Sequence, residues 1–145
     1  MRTIHHVLDI DASAPDVWDA LTTQDGLSRW WSSDVTMDPA TVGTVIHFIF
    51  AGDFNPRMEI TDIEAGRSLG WRCVGGHPNW SDNTFTFELA VLVPGRTRLR
   101  FTQHYATELS DDDYGIYNFN WGYYLESLRL WCTHGAGKPF QPSAV

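Results

Sequence analysis

YNFNWGYYLESLRLWC, residues 117–132, is the longest helical pattern in the chain. Its apolar side chains fall at Tyr117, Trp121, Tyr124, Leu125, Leu128, Trp131 and Cys132, a spacing of three and four that gathers them on one face. That face is unusually aromatic. No other segment reads as a helix of this length, and most of what precedes it alternates as strands do. One long helix packed against one sheet is the predicted architecture.

The flanks of the helix carry their own signals. Ser110 followed by Asp111, Asp112 and Asp113 resembles a capping box, with carboxylates where a helix dipole favours negative charge. The helix is expected to start there, with a break near Gly115, and Gly135, Gly137 and Pro139 stop it. Immediately upstream lies the clearest hairpin. Residues 84–93 place Phe85, Phe87, Leu89 and Val91 on one side; Pro94, Gly95 and Arg96 turn the chain; residues 97–105 answer with Leu99, Phe101, Gln103 and Tyr105.

Further out, residues 57–63 set Met58 and Ile60 against Glu59 and Thr61, and residues 68–74 set Leu69, Trp71 and Cys73 against Gly70 and Arg72. Between these strands and the hairpin lies a polar loop, residues 75–83, with a lone Trp80 that folds over something. Residues 44–50 read as a strand with Ile46, Phe48 and Phe50 facing one way, whereas residues 34–43 read as turn. At the start, residues 3–11 alternate, and Ser13-Ala14-Pro15-Asp16 is a helix N-terminus. Two short helices follow, the first burying Val17, Trp18 and Leu21, the second spanning residues 25–31. The fold class is α+β, with a curved antiparallel sheet of six or seven strands around the C-terminal helix. Residues 1–145 are expected to form one domain.

Composition narrows the function. A length of 145 residues supports a sizeable core, and seven Trp, eight Phe and five Tyr are more rings than a small core needs. Some of them either line a cavity or make the core aromatic-rich. Ten basic against eighteen acidic residues give a net charge of -8, which opposes nucleic acid and anionic membranes as partners. No run of about eighteen apolar residues and no signal-like N-terminus is present, so a cytoplasmic protein without membrane insertion is expected. Cys73 and Cys132 read as reduced, buried thiols. The six histidines lack metal-ligand spacing, and neither a metal nor a cofactor is predicted.

The order of elements resembles the helix-grip, START-like superfamily often called SRPBCC, and within it the family named after the activator of the ninety-kilodalton heat-shock protein's ATPase. The matching phrases are IDASAPDVWDAL at residues 10–21, GLSRWW at 26–31, GTVIHF at 43–48, the strand with Trp71, GRTRLRFT at 95–102 and WGYYLESLRLWCTHGAGKPF at 121–140. The resemblance implies a helix-grip fold with a cavity between the concave sheet and the long helix, suited to a small hydrophobic or aromatic ligand. It carries over no universal catalytic motif. It matches only the part similar to the activator's C-terminal domain.

Inward strand parity nominates Phe48, Met58, Trp71, Phe85, Phe87, Phe101 and Tyr105 for such a pocket, and the helix adds Trp121, Tyr124, Leu125 and Leu128. His6 shares parity with Ile4, Leu8 and Ile10, and with Tyr105 it is the weak candidate for moving protons; a histidine merely bonded to its neighbours is the plainer alternative. Binding of a small hydrophobic or aromatic molecule is the leading expectation. The alternatives are a cyclase, dehydratase or hydrolase using the same cavity, and a chaperone or stress partner acting through its surface. A homodimer is compatible with the pattern.

Overall fold

Seven antiparallel strands form one curved sheet in the computed structural model, which describes residues 2–142. The elements are β1 (Thr3–Ile10), α1 (Ala14–Thr22), α2 (Gln24–Ser28), β2 (Asp34–Thr36), β3 (Val45–Ile49), β4 (Arg57–Glu64), β5 (Ser68–Gly75), β6 (Thr84–Val93), β7 (Arg96–His104) and α3 (Asp111–His134). The sheet order is β1-β7-β6-β5-β4-β3-β2. The connection after β1, carrying α1 and α2, takes the chain from one edge of the sheet to the other, and the strands then return by hairpins.

Curvature comes from register shifts. The β4–β5 pairing slips between Arg57 and Met58 and again between Ile60 and Asp62, and the β6–β7 pairing slips between Val91 and Val93. An extra residue on one strand bends it and sharpens the local twist. The inner face then carries Ile4, Phe48, Met58, Trp71, Phe85, Phe87, Leu99 and Phe101, all fully buried. The outer face is wet and ion-paired, as where Arg98 Nε donates to Asp9 Oδ1 at 2.8 Å.

α1 and α2 share one residue at their joint. The Thr23 hydroxyl donates to the Asp19 carbonyl at 2.7 Å and accepts from the Gly26 amide at 2.9 Å, ending one helix and capping the next. α2 ends at Ser28, earlier than its pattern implies, and Trp30 and Trp31 follow it in a turn. The Trp30 indole N–H donates to the Ala20 carbonyl at 2.8 Å, which pins that turn beneath α1.

Three other expectations are corrected. Residues 34–36 form strand β2, because Val35 is buried and pairs with Phe48 although its neighbours Asp34 and Thr36 are exposed; one inward residue is too short a pattern to read as a strand. Val91 is 64% exposed, since the β6–β7 hairpin bulges there. α3 runs unbroken through Gly115 from its N-cap at Ser110, whose hydroxyl accepts from the Asp113 amide at 3.1 Å, to Gly135 in the left-handed conformation.

A candidate binding cleft roofed by the long helix

α3 covers only part of the concave face. Beside it lies a cleft of about 400 Å³ with mostly aromatic walls. α3 contributes Asp113, Ile116, Tyr117, Asn120, Trp121 and Tyr124; the segment after β3 gives Phe50, Ala51, Phe54 and Pro56; the loop after β5 gives His77 and Trp80; Trp31 and Phe140 complete it.

Hydrogen bonds hold each segment in place. The Asn55 amide donates to the Gly76 carbonyl at 2.7 Å, which ties the β3–β4 turn to the loop after β5. Gly76 has φ 81°, and a Cβ there would sit 2.0 Å from the Asn55 carbonyl oxygen, so this crossing needs glycine on both counts. Within the loop, the His77 and Trp80 rings stack at 4.0 Å and 4°. The Asn79 side-chain amide donates to Tyr117 Oη at 2.7 Å, which fastens the loop to the roof. After α3 the chain doubles back. The Lys138 amide donates to Ser127 Oγ at 2.6 Å, and Phe140 exchanges backbone bonds of 2.9 Å with Trp31 and Ser33, bringing its ring to within 5.5 Å of Phe50.

Three tryptophans make the floor. Trp31, Trp80 and Trp121 lie 5.0 to 6.3 Å apart with planes within 26° of parallel. The Trp121 N–H donates to Gln103 Oε1 at 2.8 Å and the Trp80 N–H to Tyr105 Oη at 3.1 Å. Both indole donors are thereby bound to residues Gln103 and Tyr105 behind the floor, and the rings offer the cleft carbon surface.

Burial sets the protonation of the polar groups. It lowers His77 from the usual 6.5 to about 4, so the ring is neutral at pH 7. Its Nδ1 accepts from the Asn79 amide at 3.1 Å, which leaves the ring proton on Nε2. Burial likewise raises the Tyr105, Tyr117 and Tyr124 phenols, all of which stay protonated.

Of the residues nominated from sequence, Trp121 and Tyr124 line the cleft. Phe48, Met58, Trp71, Phe85, Phe87, Phe101, Leu125 and Leu128 lie in the closed core, each at most 2% exposed. Tyr105 sits behind Trp80 as its hydrogen-bond acceptor. His6 faces α3 from β1, with Nε2 3.0 Å from Asn118 Oδ1, outside the cleft wall. Sequence reasoning did not nominate Trp31, Phe50, Phe54, His77, Asp113 or Phe140. Trp80, alone in a polar loop, and the GLSRWW and GKPF phrases were the available signals.

A second hollow of about 540 Å³ lies between α1, the segment after β2 and the end of β4, with Trp18 as its one ring. No group of three or more His, Cys, Asp or Glu side chains placed to hold a metal occurs among the described residues. No helix among them is long and apolar enough to cross a membrane.

Sheet, helix and cleft together define a helix-grip domain of the SRPBCC type. The chain belongs to the family described as activator of Hsp90 ATPase homolog 1-like protein, whose model matches residues 11–130. Among solved structures it is similar to the Aha1 dimer from Colwellia psychrerythraea, at 32% identity and TM-score 0.82 over 94% of this chain and 100% of that one. It is also similar in fold to CalU16 from Micromonospora echinospora, at 20% identity and TM-score 0.71 over 92% of this chain and 78% of that one. DynU16, a putative protein in the dynemicin biosynthetic locus, shares the fold at 16% identity and TM-score 0.75 over 93% of this chain and 48% of its own. No match was found among curated proteins.

Proposed function

We propose that this protein is a binding protein, one domain that holds a small hydrophobic or aromatic molecule in the cleft between the sheet and α3. The observation that carries this reading is the cleft itself: about 400 Å³, open to solvent and walled by rings from five separate segments. Concave, mostly apolar sites with a few polar groups are where small molecules bind. A chain seeking only a packed core gains nothing by leaving such surface wet, since exposed apolar area costs roughly 25 cal/mol per Å². Two free thiols suit a reducing, cytoplasmic setting.

The test uses the floor as its own reporter. A panel of aromatic and branched-alkyl compounds is titrated while tryptophan fluorescence and thermal stability are followed. Binding is expected to quench Trp31, Trp80 and Trp121 and to raise the melting temperature. If no compound does either at millimolar concentration, the binding reading fails.

A second copy of the chain is the partner proposed for the outer side of α3. Phe119 and Tyr123, four apart and outside the cleft wall, are 73% and 46% exposed, and the relative at 32% identity is a dimer. Sedimentation equilibrium decides this, and a single-chain mass at all concentrations would remove the dimer.

A further inference from the structure

We infer that the molecule held in this cleft is a small organic cation, a protonated or quaternary amine bearing an aromatic or alkyl group. The inference rests on the binding reading above and adds the charge of the ligand.

The walls carry it. Asp113 is the only carboxylate on them, and neither lysine nor arginine lines the cleft. Among the described residues the Asp113 carboxylate has no ion-pair or hydrogen-bond partner, whereas nearby Asp111 is paired with Arg2. The titratable rings on the walls, His77, Tyr117 and Tyr124, are all neutral. A ligand bearing a carboxylate or phosphate would therefore meet a like charge and no counter-charge.

The rest of the wall is suited to the opposite sign. An electron-rich ring attracts a cation through its quadrupole, indole most strongly, and three indoles together with Tyr117 and Tyr124 surround this space. Because the Trp80 and Trp121 N–H groups are bonded to Tyr105 and Gln103, their positive edges are turned away from the cleft. The net charge of -8 adds a long-range field that draws cations toward the protein. A neutral hydrocarbon would use the rings alone and leave Asp113 unanswered.

The probes are benzyltrimethylammonium and its uncharged carbon isostere, neopentylbenzene, with phenylacetate as the anionic control. The cation is expected to bind about tenfold more tightly than the isostere, with phenylacetate weakest. That preference should shrink as salt is added. Asp113→Asn is expected to remove most of the preference while leaving isostere binding in place; the Ser110 cap uses the backbone amide of residue 113, so the variant keeps it. Equal affinity for cation and isostere overturns the inference and leaves the cleft a neutral aromatic site. Full preference retained by Asp113→Asn also overturns it. If neither compound binds, the inference falls, and the binding reading falls with it only if the wider panel is also silent.

Discussion

Trp121 joins roof, floor and sheet. Its ring lies 4.3 Å from Phe101 and 5.0 Å from Trp31, and its N–H donates to Gln103. Gln103 is fully buried, and its Nε2 already lacks a partner among the described residues. Trp121→Phe would take the indole donor from Gln103 Oε1 and open a gap where the indole stood. A loss of roughly 2–4 kcal/mol is expected, read by urea denaturation. His77 gives a pH dependence of definite sign. The folded state resists the proton until about pH 4, while the unfolded chain takes it up near 6.5. Stability is therefore full above pH 6.5 and falls as pH drops toward 4. Between pH 7 and 5 the wild type should lose about 2 kcal/mol more than His77→Gln, measured as the difference in denaturation midpoints. An equal pH slope in the two proteins would show that residue 77 is not protected. Cys132, though half-buried, has its thiol pushed up to about 12 by burial, and reads as packing material rather than a nucleophile.

Two glycines separate strain from crowding among the helical elements. Gly135 ends α3 at φ 71° with open space around its missing Cβ, so Gly135→Ala costs only backbone strain, about 1 kcal/mol. At Gly26 the backbone is ordinary, but a Cβ would stand 2.5 Å from the Asp19 carbonyl oxygen and 2.7 Å from the Ala20 Cα. Those are backbone atoms of α1 and cannot turn aside. Gly26→Ala must push α2 off α1, and roughly 2–3 kcal/mol is expected, the larger of the two losses by chemical denaturation. The consequence reaches the cleft. Trp31 hangs from the turn after α2, so a displaced α2 moves the floor.

The cleft belongs to the whole molecule, because residues 31, 50–56, 77–80, 113–124 and 140 meet only when the sheet is closed and the segment after α3 has doubled back. Phe140 is held by bonds to Trp31 and Ser33 and is half-buried, so Phe140→Ala should barely change the melting temperature while weakening aromatic probes roughly tenfold in fluorescence titrations. A large fall in melting temperature would instead make Phe140 part of the core. Much of the architecture was legible beforehand. The three-and-four spacing of Trp121, Leu125 and Leu128, the Ser110 cap and the alternation of Phe85, Phe87, Leu99 and Phe101 are local periodicities, and local periodicity records which face turns from water. The brevity of β2 hid it, and the bulge at the β6–β7 tip reversed the expectation for Val91. Which buried rings border open space is a different kind of fact. Phe48 and Phe50 share parity, yet Phe48, within β3, is sealed in the core against Trp31 and Trp71, and Phe50, one residue past the end of that strand, faces the cleft. The sequence alone determined the helix, the strands and the inward faces, since each follows from contacts a few residues apart. Only the tertiary structure decided where the cleft lies and that Trp31, His77, Asp113 and Phe140 share it, since that depends on how distant segments fail to fill the space between them.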